Sequence, residues 1–406
     1  MLDLRADTAL PEIEDGDAIV SSVSLSERVE RVAAIAARHA DDVDTQGRYP
    51  HEAMRAVRDG RLLGVMVPEA FGGEGLAVGP VVDICYRLGR SCASSAMIYA
   101  MHQTKAACLV RHGVGNAWQE GFLRRMAAEQ LLLASSTTEG KNGGNVRSSD
   151  APIEPEGARV RFRRDATVMS YGAQADAIVT TARRSGDAVT SNQVLAVFAK
   201  EDYRLDLKGG WNTMGMRGTC SGGFALDATG EPDQVLETPY ETIHGETMTP
   251  TAHLVWSGVW AGIAAAAVER AQFFTRKAAR GAGGQLPPGA PHVVRAVATL
   301  GQLRGLIAAA VRRYEVALAQ PALLASLDFQ TGITLHKVEA SEMAVATVMS
   351  ALRACGLSGY RNDGEASVSR HLRDVLSSPL MINNDRILQS LGTAALLTPV
   401  PAALTV

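Results

Sequence analysis

Thr137 and Thr138, followed by Glu139, Gly140, Gly143 and Gly144, set hydroxyls and side-chain-free backbone directly after a β-prone run. Glycine has no Cβ to block approach, so such a turn can bring several backbone N–H groups against an electron-rich ring or a phosphate. A solvated β-turn with an exposed lysine satisfies the same composition. His253, near the start of an apolar helical run, is a candidate base because imidazole titrates near neutrality; a histidine bonded to a carbonyl or water at a helix start is the plainer reading. Asn383, Asn384 and Asp385 precede the last helical run, where Asn and Asp cap free N–H groups. Asn383 joins His253 as a candidate for the catalytic step. Trp256 and Trp260, four apart on one helix face, read as core.

Three stretches must position these groups. From about Val23 to Gln130, apolar residues recur every three to four positions, as in LSERVERVAAIAARHA and AVGPVVDICYRLGR, which is helical periodicity. Between about Leu131 and Leu236 come short β-prone runs such as ARVRFRR, AIVTTAR and QVLAVFAK, divided by Gly, Asp, Ser and Asn. From about His253 three long Ala-rich helical patterns follow, with a shorter one after Ser377. The expected fold class is α+β: an N-terminal α-helical domain over 1–130, a middle β-barrel or β-sandwich domain over 131–240, and a C-terminal four-helix bundle over 241–406.

The 406 residues, 46% of them hydrophobic, suffice for two or three packed modules. A net charge of -3 gives no general attraction to nucleic acid or to an anionic membrane. The five cysteines are scattered and unpaired in spacing, so neither a disulfide framework nor a structural zinc site is expected. The acidic N-terminus and the lack of an uninterrupted apolar run of spanning length fit a cytoplasmic protein without membrane insertion.

Four motifs make the order of modules specific. YPHEAMRAVRDGRLLGVMVPEAFGGEGL carries Pro50, Gly60, Pro68, Glu69, Gly72, Gly73 and Gly75; SSTTEGKNGGNVRSS, VMSYGAQADAIVTTAR and GWNTMGMRGTCSGGFAL follow in order, then GLSGY and SRHLRD. In these motifs the chain resembles the acyl-CoA dehydrogenase superfamily over nearly its whole length. The resemblance implies a flavin between the β module and the bundle, with Thr137, Thr138, Gly143, Gly144, Met169 and Ser170 around its ring. It also implies FAD as cofactor, an acyl thioester or other small molecule as substrate, and a homodimer or homotetramer in which bundles pair to complete the cofactor site.

The departures are as informative. Counting from Arg373-Asp374, the family's catalytic glutamate falls at Ile382 and its flavin-contacting Gly-Thr at Asn383-Asn384. Isoleucine cannot accept a proton. The alternative position for that glutamate, on the first bundle helix, corresponds to about Ala252-His253. At the dinucleotide end FTRKAARGAGGQLPPGAPH lacks the family's Phe-Gly; Arg276 stands for its pyrophosphate arginine, and Arg353 and Gly356 for its partner-subunit contacts. These losses leave room for FMN, or for reduced flavin supplied by a reductase or electron-transfer partner. Three functions compete: an acyl-thioester dehydrogenase with a displaced base, which is the first expectation; a monooxygenase or oxidase using reduced flavin and oxygen; and a non-catalytic acyl- or protein-binding descendant.

Overall fold

A computed structural model describes residues 23–139, 146–398, 400 and 402. Its first module comprises α1 (Leu25–Gln46), α2 (His51–Asp59), α3 (Val78–Ser91), α4 (Ala93–His112) and α5 (Ala117–Glu129). Helix α1 starts at Ser24, whose hydroxyl accepts the Glu27 N–H while the Glu27 carboxylate accepts the Ser24 N–H. Helix α4 is buried almost all round, its small residues packed between the β module and the bundle. That burial is why it lacks the one-sided pattern of a surface helix.

The β module holds β1 (Leu133–Ser136), β2 (Ile153–Glu156), β3 (Arg159–Ala166), β4 (Ala177–Arg183), β5 (Gln193–Ala199), β6 (Tyr203–Gly209) and β7 (Gly223–Gly230). Two sheets form, ordered β1-β4-β5 with β1 parallel to β4, and β2-β3-β7-β6, antiparallel throughout. Phe162 of β3 stacks on Phe198 of β5 with ring centroids 6.1 Å apart, joining the sheets through their inner faces. Arg164 of β3 is buried, donates to the Thr180 and Thr181 hydroxyls of β4, and pairs with Glu139 at 2.7 Å. The Glu139 carboxylate also accepts the Asp150 N–H and the Ser149 hydroxyl, which anchors the segment after β1. Burial pulls its pKa upward, but Arg164 and these donors outweigh burial and leave it below the ordinary carboxylate range.

The C-terminal module contains α6 (Tyr240–Gly281), α7 (Ala290–Leu318), α8 (Leu327–Cys355), α9 (Ser369–Val375) and α10 (Asn384–Leu397). Helices α6 and α7 are long and apolar enough to cross a membrane by length and composition alone; the most apolar window of α6 is wholly buried inside the protein, that of α7 only 17%. Glycine permits close passage of α6 over α3: a Cβ on Gly262 would lie 2.2 Å from the Tyr86 carbonyl oxygen, and one on Gly89 2.5 Å from that of Val259. The three modules meet at Arg373-Asp374. Arg373 pairs with Asp44 of α1, and Asp374 accepts the Met216 N–H at 2.7 Å. Asp374 is fully buried, and burial pushes its carboxyl up to about 6. The pair therefore acts as a structural joint.

Candidate functional site

A cleft of about 520 Å³ lies where α4, the end of β1, the segment after β3, the start of α6 and the turn before α10 converge. Met101, Thr104 and Lys105 enter from α4, at the three- and four-residue spacing that shares a helix face. Thr249, Ala252, His253 and Trp256 enter from α6 at the same spacing. Between them, His244–Met248 form a π turn, which widens the helix and delivers His244 and Met248 to the cleft. Leu380, Met381, Ile382, Asn383 and Arg386 close the far side.

No aspartate or glutamate lines the cleft among the described residues. His253 is 4% exposed, and its Nδ1 lies 3.0 Å from the Ile333 carbonyl oxygen, so Nδ1 carries the proton. Burial dominates its titration and lowers the pKa to about 3, the Ile333 bond opposing weakly. His244 is lowered to about 4, by burial first and then by Arg147 and Lys105. Both imidazoles are neutral near pH 7, and neither holds a proton readily. Ile382 adopts φ +51°, a left-handed conformation that a β-branched residue rarely takes. Lys337 of α8, buried beneath it, donates to the Ile382 carbonyl at 2.8 Å and the Asn384 Oδ1 at 2.7 Å, fixing that turn.

Ser170 ends a relay of hydroxyls. Thr219 Oγ donates to the Met216 carbonyl at 2.9 Å, Ser221 Oγ lies 2.8 Å from Thr219 Oγ, and Ser170 Oγ lies 2.7 Å from Ser221 Oγ. Each hydroxyl has one hydrogen. With that of Thr219 committed to Met216, Ser221 donates to Thr219 and Ser170 to Ser221, so Ser170 turns a lone pair toward the cleft. Beside it, Val168 exposes 45% of its surface and offers a flat apolar rest.

The model of the acyl-CoA dehydrogenase N-terminal domain matches residues 23–130. Cyclohex-1-ene-1-carbonyl-CoA dehydrogenase of Geobacter metallireducens is 26% identical over 369 residues, covering 88% of this chain and 93% of that protein. A probable FMNH2-dependent monooxygenase, SfnC, of Pseudomonas putida is 24% identical over 60% of each chain. FMN-bound TdsC from Paenibacillus sp. A11-2 shares the fold with a TM-score of 0.78 and 19% identity, over 92% of this chain and 97% of that one. Residues 23–130 thus match an acyl-CoA dehydrogenase N-terminal domain, and over its length the chain is similar to members of that superfamily. It is thereby a flavin-dependent oxidoreductase, and the cleft occupies the junction of β module and bundle where the superfamily resemblance put a flavin.

Within this superfamily frame the expected residues divide. Thr137, Thr138, Ser170, His253 and Asn383 come together in the cleft. Gly143 and Gly144 lie outside the described residues. Met169 does not face the cleft: it is fully buried, its N–H bonds the Gly222 carbonyl, and its side chain packs under Gly172. Asn384 is also turned away, its amide shared among Lys337, Ser341 and Glu342. Asn383 spends its carbonyl oxygen on the N–H groups of Asp385 and Arg386, capping α10; only its amide hydrogens remain for a ligand. Arg276 lies 20 residues beyond Trp256 on α6, about 30 Å along the helix. Arg353 and Gly356 are exposed at the end of α8 and likewise do not line the cleft.

His102 is a structural residue, accepting the Leu133 N–H at Nδ1 and donating from Nε2 to the Leu63 carbonyl. Trp256 and Trp260 are both buried in the core, as expected, and Trp256 in addition lines the cleft. Lys105, Tyr240, His244 and Met248 were missed. The α4 spacing of Met101, Thr104 and Lys105 was a usable signal for the first, and the four-residue spacing of Tyr240, His244 and Met248, continued by Ala252 and Trp256, for the others.

Proposed function

We propose that the protein binds reduced flavin in this cleft and uses it with oxygen to transfer one oxygen atom to a small substrate. The bound group would supply two electrons: substrate, O2 and reduced flavin give oxygenated substrate, water and oxidised flavin. The observation that carries this reading is a lining without a carboxylate among the described residues. Dehydrogenation alpha to a thioester needs a group that takes and keeps a proton, and imidazoles lowered to about 3 and about 4 do so poorly.

The residues fit the cofactor. Ser170, with its acceptor lone pair inward, would orient a ring nitrogen that bears hydrogen, as in reduced flavin; Thr137 and Thr138 would bond the ring edge; Val168 would support its face. Trp256 and the methionines would exclude water from the reacting side. FMN is the preferred form, because FTRKAARGAGGQLPPGAPH lacks the Phe-Gly of the family's dinucleotide contact; Arg276 and Arg353 could reach the cleft only in a neighbouring copy. Such a homodimer, and a reductase that supplies the reduced flavin, belong to the same proposal.

Acyl-thioester dehydrogenation with FAD is the second reading, favoured by the near full-length match to the cyclohexene-carbonyl-CoA enzyme. Oxygen-free titration of the flavin-free protein with FMN in each redox state separates the two. Reduced FMN should bind tighter than oxidised FMN by roughly tenfold, the worth of one correctly oriented hydrogen bond. Preference for an oxidised flavin would overturn the monooxygenase reading.

A further inference from the structure

Two lysines are buried among the described residues, and they differ in how they are satisfied. Lys337 has a carbonyl and an amide oxygen within 2.8 Å, with Glu342 close enough to favour its charge. Lys105 is 4% exposed, and its only acceptor among the described residues is the thioether of Met248 at 3.3 Å. Sulfur of this kind is a weak acceptor and carries no charge. No carboxylate pairs with Lys105 among the described residues, and none lines the cleft into which it reaches. Burial lowers its pKa to about 8, so it remains largely charged at neutrality.

An ammonium ion taken out of water without a counter-charge is costly, and a bound anion would relieve that cost. The other charged lining residue is Arg386, also a cation, so the described lining presents positive charge alone. Met248 meets the ammonium, and Met101 and Trp256 add apolar and polarizable wall to the same cleft.

We propose that Lys105 is the substrate's anion receptor, and that the substrate is a small organic acid whose carboxylate, or comparable oxyanion, pairs with its ammonium group. The inference rests on the oxygenase reading for what happens next, but not for binding itself. Anchored at Lys105, the acid holds its apolar portion between α4 and α6, facing the ring supported by Val168 and Ser170. Lys105 thereby selects by charge, and the Met and Trp side chains select by shape.

Binding of benzoate and isobutyrate to the flavin-free protein, with benzamide and isobutyramide as neutral isosteres, tests this by calorimetry without any turnover. At least one acid should bind, its amide should bind on the order of 10- to 100-fold more weakly, and Lys105→Met should abolish the difference. Methionine has similar length and suits the apolar wall, and an unchanged melting temperature identifies a folded variant. Should Lys105→Met fail to fold, Lys105→Gln, or the acid-versus-amide ratio in the unaltered protein, decides the question. Equal binding of acid and amide, no binding by any of the four, or equal acid binding by folded Lys105→Met each overturns it. A further arm compares FMN with riboflavin: a loss in Lys105→Met confined to FMN would mean that Lys105 holds the cofactor phosphate instead. Failure of the oxygenase reading would register separately, as absent oxygen-dependent turnover in a protein that still discriminates acid from amide.

Discussion

At the scale of single residues, the direction of one hydroxyl decides which form of a ring the cleft suits. Ser170 faces inward as an acceptor because Ser221 takes its hydrogen and Thr219 in turn takes that of Ser221. Ser221→Ala frees the Ser170 hydroxyl to rotate and donate. Its preference for reduced over oxidised FMN should fall by roughly fivefold to tenfold, with the melting temperature little changed, in anaerobic titrations of both forms. An unchanged ratio would show that the relay does not orient Ser170. The loss of a carboxylate at Ile382 was legible by counting from Arg373-Asp374. That Ile382 sits in the left-handed region, clamped by Lys337 from another helix, was not, since backbone sign and a contact across 45 residues leave no local pattern.

At the scale of elements, α4 and α6 form two walls of the cleft, and α6 is held in place by its close crossing over α3. Gly262 and Gly89 allow α6 to lie backbone-to-backbone on α3. Gly262→Val should push these helices apart and cost about 3 kcal/mol, read as a lower denaturant midpoint with accompanying loss of flavin binding. Retained stability would mean that the crossing relaxes easily. Helical periodicity revealed α6 as a helix and its Ala-rich composition as bundle core, but periodicity does not mark Gly89 and Gly262 as the point where two helices touch. The π turn at His244–Met248 is equally silent in sequence. Tyr240, His244, Met248, Ala252 and Trp256 keep a four-residue spacing through it, because the widened turn takes up the extra residue. The four shared motifs made the module order readable; the side-chain directions of Met169 and Asn384 depend on tertiary packing, which leaves no local pattern.

At the scale of the whole molecule, several buried neutral histidines couple folding to pH. His102, His336 and His253 are lowered by burial to about 4, about 4 and about 3, from an ordinary 6.5, and His371 is well below that value. As pH falls through 6.5 the unfolded chain takes up protons that the folded chain refuses, so stability falls across the window from about 6.5 to about 4. Asp374, raised to about 6 by burial, acts in the opposite sense between about 6 and 3.8, but it is one group against these histidines together with His112 and His244, each lowered to about 4. The melting temperature should therefore be clearly lower at pH 5 than at pH 7.5; a flat or rising profile would contradict the neutral burial of these rings.

The central claim is that a carboxylate-free cleft holds reduced flavin for reaction with oxygen. The measurement closest to it follows the visible spectrum of the flavin-loaded protein through two additions: a panel of acyl-CoA thioesters to the oxidised form without oxygen, then oxygen to the reduced form. The account predicts no bleaching by any thioester, and a return of oxidised-flavin absorbance after oxygen that differs in rate from free reduced FMN. Rapid anaerobic bleaching of a bound FAD by an acyl-CoA would contradict it.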